Sequence, residues 1–542
     1  MNMNNCNPRR TLRTRACIWT IIAACIWGMG GALAAPVAGS TAAGPGLTPA
    51  VTTVRVSARA GVPDLQCASV PRTAASAAVD QDPREIPDEE EVQGALQAAG
   101  AASLPSAAAP LRTGGLGRAR PGEPYRVAIW GDSHLAAGFF TQELAKILQL
   151  GPEQVRAGWI PASMNRPGVR LPLRKSCVSP QWRYEPAHAH AVSAAAPGPG
   201  LVNLFSAQAG ASLAWDVRNA AGMAEVRQLR VAYQQSAQAV QLAVSVDGAP
   251  EVDVVLSGPP GPAVLELSAD SPVSVVQLRL VAGEFRLQGL ALPVPSTTAL
   301  QMDVFGFPGA TVGGWKQVGT ESLSAWLAPT PYHLVMLAFG TNEGNVKPFD
   351  ATAYQATLRE AVLSLRTVFP QAACVLIAPG DRGVLVRRSE KGKSVPASAR
   401  AVADTPSGKK AGKKAGKGGA SSATRAPGKH KTPHKTTAHG PDTTPPPETR
   451  ASPARNLLQY TLIHEEIGQI QDAVAQQYGC SVWSMLQAMG GQGGAYRWAR
   501  QSPPLMARDL IHFTVLGYQQ LAQQFAQDMG WNSAQLLPVT PP

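Results

Sequence analysis

Four short stretches hold the residue types that acyl-transfer chemistry needs. They are Gly131-Asp132-Ser133-His134, "GFPGATVGGW" with Gly306 and Gly309, "FGTNEGN" with Gly340 and Asn342, and "MARDLIHFTVLGYQQLAQQF", where Asp509 precedes His512 by three residues. A serine hydroxyl can attack an ester carbonyl, but it is a weak nucleophile without a neighbouring base. His512 would take the Ser133 proton and return it to the leaving alkoxide, while Asp509 would fix the imidazole tautomer and stabilise its charged form. On a helical turn an i, i+3 spacing sets Asp509 and His512 on one face. The developing oxyanion would meet the Ser133 N–H, the Gly309 N–H and the Asn342 side-chain amide.

Each of these residues also has a plain structural reading. Ser133 or Asp509 can cap a helix, Asn342 can serve a turn, and Gly309 can occupy a loop with positive φ. His134 reads as a residue that holds a loop, with no chemistry assigned. Placement decides between the readings. Five apolar runs suit buried parallel strands: "YRVAIW", "MDVFGF", "HLVMLAF", "ACVLIAP" and "SVWSML". Amphipathic patterns such as "FDATAYQATLREAVLSLRTVF" and "NLLQYTLIHEEIGQIQDAVAQQYG" lie between them, and this alternation predicts a doubly wound α/β sheet. The first three blocks follow the first three strands and the last lies beyond the fifth, so all fall on the carboxyl edge, where open sheets bind ligands. Four unrelated structural roles in that order would be a coincidence, and Ser133 therefore reads as a nucleophile.

With 542 residues the chain exceeds one ordinary core. Residues 1–35 read as an export signal: Arg9, Arg10, Arg13 and Arg15 precede an apolar run that ends in the small-x-small site Ala32-Leu33-Ala34. Lipidation at Cys25 in "IIAAC" and an uncleaved anchor stay open as alternatives, and no later segment is long and apolar enough to span a bilayer. Residues 36–120, rich in Ala, Pro, Ser and Gly, read as linker with one short helix around "PDEEEVQGALQAAG". The α/β core is expected over 121–170, 296–380 and 456–535. From 171 to 295 the text alternates apolar and polar residues at short spacing, which predicts an antiparallel β-sandwich or jelly roll.

Residues 381–455 read as a disordered Lys-rich insertion. Between Arg387 and Arg455 there are 16 Lys and Arg against 4 Asp and Glu, which accounts for the whole net charge of +12. Anionic envelope polymers are the partner such a segment suits, with a solvated spacer as the plain alternative; nucleic acid is not expected, because no aromatics interleave the lysines. Past the signal four cysteines remain, Cys67, Cys177, Cys374 and Cys480, whose spacing matches no zinc motif. Cys374 and Cys480 sit in apolar runs and read as small core residues. Trp182, Tyr184 and Trp215 offer faces for sugar rings, although core packing is the commoner role.

The four ordered blocks resemble the SGNH, or GDSL-type, hydrolase superfamily, matching its Ser, Gly, Asn and His positions as Ser133, Gly309, Asn342 and His512 with Asp509. The resemblance covers Tyr125 to about Met529 outside the two insertions, and departs from the commonest first block in having His134 after the serine. It implies a flavodoxin-like three-layer α/β/α core. "GDSH", the inserted β domain and "MGGQGGAYRW" further resemble bacterial peptidoglycan O-acetylesterases, with the sandwich as a carbohydrate-binding-like domain. That resemblance implies an exported enzyme of the periplasm or cell envelope, without metal or nucleotide cofactor, that removes acetyl groups from an acetylated glycan, peptidoglycan above all. A polysaccharide O-acetyltransferase, a non-catalytic wall-binding protein, and a lipase or arylesterase are the alternatives.

Overall fold

The computed structural model describes residues 48–67, 84–100, 115–189, 195–388, 394–395 and 456–537. The expected signal (1–35) and nearly all of the Lys-rich insertion lie outside the described residues.

All five apolar runs are strands of one parallel sheet, at Tyr125–Gly131, Leu300–Gly306, Leu334–Ala338, Ala373–Ala378 and Ser481–Ser484. In space they run fifth, fourth, third, first, second, and a two-residue strand, Val155–Arg156, lies outside the second. Side chains alternate between the two faces of the sheet: Trp130, Phe305 and Leu337 enter one apolar cluster, while Ile129 and Met336 enter another on the opposite face. Helices Ala351–Val368 and Gln459–Tyr478 cover the first face with Leu358, Val362, Ile467 and Val474. Phe139–Ile147 and Val515–Met529 cover the second with Phe140, Leu144, Leu521 and Phe525. Three layers result.

The register matters for the site. Gly131 stands opposite Gly306 on one side and Ala338 on the other, so the first three strands end at one level. The chain leaves the first strand for one neighbour and returns to the other, and the crevice at this reversal is where such sheets receive ligands.

Between the first and second core strands the chain builds two largely antiparallel sheets that share one core. Leu204, Val231, Leu265 and Leu287 meet Leu213, Trp215, Val244 and Leu278 across it. The sheet begins earlier than residue 171, because Trp159–Pro161 pairs with Phe285–Ala291.

The linker expected at 36–120 is corrected in part. Ala50–Val56 is an edge strand, parallel to Gly261–Ala269 of the sandwich, and Cys67 is bonded to Cys177. "AVTTVRV" carries the β-branched alternation of a strand; the Ala- and Pro-rich text around it masks that signal in composition. The helix is present at Glu89–Ala98, with a reciprocal cap between Asp88 and Glu91. It packs into the α/β core, where Val92 meets Tyr496 and Leu510.

Cys374 and Cys480 are likewise corrected. Val375 pairs with Ser481 across the fourth and fifth strands, so the residues just before them are neighbours, and they form a disulfide. Sequence separation of 106 residues hides that adjacency.

Candidate active site

Ser133 is the first residue of the short helix Ser133–Ala136, but it does not cap it. Asp132 does: its Oδ1 accepts the His134 N–H at 2.9 Å. The Ser133 hydroxyl is thereby left free, and its Oγ lies 2.9 Å from His512 Nε2. On the other side of the ring His512 Nδ1 is 2.8 Å from Asp509 Oδ2. A carboxylate only accepts, so Nδ1 carries the proton and Nε2 presents a lone pair to the serine.

The Asp509–His512 segment is a tight turn and not the helical turn expected from its spacing. Asp509 Oδ1 accepts the N–H groups of Ile511 and His512, both at 2.9 Å, and the His512 carbonyl accepts the Ala507 N–H at 2.8 Å. Leu510 adopts a left-handed φ of 56°, and its side chain is fully buried against Val92 and Tyr496. The last helix begins only at Val515, capped by Thr514, whose hydroxyl accepts the Gly517 N–H. The carboxylate oxygens are thus divided, one fixing the turn and one fixing the imidazole.

Electrostatics match that division. Partial burial opposes the Asp509 charge, but hydrogen bonds from the His512 ring and from the backbone N–H groups of His512 and Ile511 outweigh it and hold the carboxyl at about 2. The Asp509 hydrogen bond raises the His512 pKa above its ordinary value. Behind the imidazole sits His134, its ring centroid 5.4 Å from that of His512 and its Nδ1 3.2 Å from the Tyr518 hydroxyl. Burial, with the nearby His512, pushes it down to about 3, so it is a neutral wedge.

The second and third loops are tied to this centre. Gly306 ends its strand so close to the Ser133 helix that a Cβ there would lie 2.3 Å from the Ala136 nitrogen. Gly309, three residues on, has φ +84°, a conformation that favours glycine. Asn342 Nδ2 donates one proton to the Ala310 carbonyl at 2.9 Å, which leaves the other N–H of the amide for a ligand.

Sequence reasoning missed the residues that set these loops. The Glu343 carboxylate accepts the Val312 N–H at 2.7 Å and the Gly340 N–H at 3.0 Å, joining second loop to third; burial pushes it up to about 7. Asp132, raised by burial to about 6, is hydrogen-bonded by Thr341. Glu343 lies in the stretch "FGTNEGN", where only the asparagine has a side chain that sequence reasoning assigns to chemistry. Arg382, in the loop after the fourth strand, carried no sequence signal at all.

Trp215 is fully buried in the sandwich core, and Trp182, 8% exposed, donates its indole N–H to the Ser212 carbonyl. Neither presents a free face for a sugar. Tyr184 is half-buried, with its hydroxyl donated to the Met164 carbonyl and the Arg166 guanidinium 5.7 Å above its ring. Among the described residues no group of His, Cys, Asp and Glu could hold a metal ion, and no helix is long and apolar enough to cross a membrane.

No family model and no curated relative matches the chain. Among solved structures it is similar to a peptidoglycan O-acetylesterase, with TM-score 0.49 and 19% identity over 76% of this chain and 91% of that one. A lipase/acylhydrolase from Enterococcus faecalis gives TM-score 0.24 and 12% identity, over 45% and 80%. A family two carbohydrate esterase from Clostridium thermocellum, in complex with cellohexaose, gives TM-score 0.23 and 10% identity, over 65% and 99%.

Proposed function

We propose that the chain is an exported serine esterase of the SGNH type that removes O-acetyl groups from a cell-envelope polysaccharide, with peptidoglycan as its substrate. One observation carries the reading: a continuous hydrogen-bonded line from the Ser133 hydroxyl through His512 to the Asp509 carboxylate, at the carboxyl edge of a parallel sheet. His512 Nε2 takes the hydroxyl proton as Ser133 Oγ attacks the acetyl carbonyl, and Asp509 stabilises the imidazolium. The Ser133 N–H, the Gly309 N–H and the free N–H of Asn342 receive the oxyanion. The imidazolium then protonates the leaving sugar oxygen, and water, deprotonated by the same ring, releases acetate.

Hydrolysis is favoured over transfer to a second sugar by the openness of the site. The His512 and Asp509 side chains keep 42% and 46% of their surface, so water has access and a polymer chain can lie across them. The compartment is supported by the two disulfides, which persist where thiols are not kept reduced.

The test is mass analysis of O-acetylated peptidoglycan fragments after incubation with purified protein, with and without a glycan acceptor. Loss of acetyl from the fragments with release of acetate is expected. Acetyl groups appearing on the acceptor would assign a transferase, and no change with either would overturn the reading.

A further inference from the structure

Arg382 lies beside the Asp509–His512 turn and, among the described residues, forms no ion pair. Its neighbour Gly383 donates its N–H to the Leu510 carbonyl at 3.0 Å, so the loop after the fourth strand is fastened between Asp509 and His512. The guanidinium carbon stands 4.0 Å from the centre of the Tyr460 ring, and the Lys347 ammonium 4.4 Å from the same centre. Lys347 donates to the neutral Gln459 amide at 2.6 Å. Among the described residues neither cation has a carboxylate partner. Arg382 Nε and Nη1 are shut off from solvent with no acceptor, and burial works against the charge of the group. Nη2 is not shut off in this way, and it has no hydrogen-bond partner among the described residues. The Arg382 charge is felt by both Asp509 and His512.

The guanidinium is held over an aromatic ring, and its Nη2, unpaired among the described residues, is placed to donate a charge-assisted hydrogen bond to an anion beside the reacting groups. We propose that Arg382 seats a carboxylate of the ester substrate, so that the acetylated glycan is recognised through its negative charge; this rests on the esterase reading above. The carboxylate can belong to the sugar acid itself or to an acidic peptide attached to it. Tyr460 serves as the platform that keeps the guanidinium in place. Arg382 is a positioning residue: it orients the substrate by that carboxylate and touches no reacting bond.

The experiment compares three acetyl esters of one sugar acid: the free carboxylate, the neutral methylamide, and the amide with a short acidic peptide. For the intact protein kcat/KM on one carboxylate ester is expected to exceed that on the methylamide by about tenfold, through KM, as one charge-assisted hydrogen bond from Nη2 provides. The preferred ester identifies the source of the carboxylate. In Arg382→Gln that ratio should fall to about one, and Arg382→Lys should restore part of it, which a fold defect would not do. A ratio near one in the intact protein, or one unchanged in Arg382→Gln, overturns the inference and leaves the esterase standing. Failure of the intact protein to hydrolyse any of the three overturns both.

Discussion

The Ser133 hydroxyl and His512 Nε2 are 2.9 Å apart across 379 residues of sequence. Asp132 makes the contact available by taking over the helix cap, and the Asp509 turn holds the ring in place. Ser133→Ala removes one oxygen from a partly exposed position and nothing from the core. Ester turnover should fall at least about 10³-fold, with the melting temperature unchanged to within a few degrees. Acetate release and thermal melts of both proteins check this, and near-normal turnover in the variant would dismiss Ser133 as the nucleophile.

The pH profile follows from His512. The base must be neutral, and its pKa is raised by the Asp509 hydrogen bond, so kcat/KM should decline as pH falls through a value above 6.5. In Asp509→Asn the raising contact is gone and the tautomer is no longer fixed. The acid limb should then move to lower pH, with kcat down by about 10⁴-fold. An acid limb that stays in place would show that another group controls it.

Asn342 and Glu343 should separate chemistry from support. Asn342→Ala removes the proposed oxyanion donor and is expected to lower kcat about 10²- to 10³-fold with little change in stability. Glu343 has a folded-state pKa of about 7 against an ordinary 4.5, so the folded protein holds its proton where the unfolded chain has lost it. Its contribution to stability therefore declines as pH rises from about 4.5 to 7, by about 2 kcal/mol between pH 5 and 7. Glu343→Gln should flatten that part of the stability–pH curve, as read by denaturant unfolding at several pH values.

Helix Glu89–Ala98 braces the Asp509–His512 turn through Val92, 3% exposed, against Tyr496 and Leu510. Val92→Asp places a charge in that contact and should cost on the order of 3 kcal/mol of stability. Loss of turnover should accompany it, because Leu510 stands between Asp509 and His512. Equal melting temperatures and equal kcat in the two proteins would remove the helix from any role in the site.

The Lys-rich segment is expected to act by charge alone. Its deletion should begin after Val395, because Val386 exchanges backbone hydrogen bonds with Glu85 and packs with Leu457 and Leu458. A chain lacking 396–452 should hydrolyse a small soluble ester normally, yet be retained less on isolated cell walls at low salt, with the difference vanishing at high salt. Equal retention at low salt would reduce the segment to a spacer.

Sequence by itself determined the five core strands and their order along the chain, since a run buried on both faces must be apolar throughout and its connecting helices must carry one apolar stripe. It also determined which residue types could form a triad, because nucleophile, base and carboxylate are distinguished by chemistry before any geometry exists. Three things belonged to the tertiary structure alone. The Asp509 turn depends on a left-handed Leu510 and on Gly383 from another loop, which a spacing of three cannot encode. The Cys374–Cys480 bond follows from strand adjacency, a property of sheet order and not of composition. Glu343 and Arg382 acquire meaning only from what surrounds them, since a carboxylate bridging two loops and a cation beside the Asp509–His512 turn are made by contacts between segments far apart in the chain.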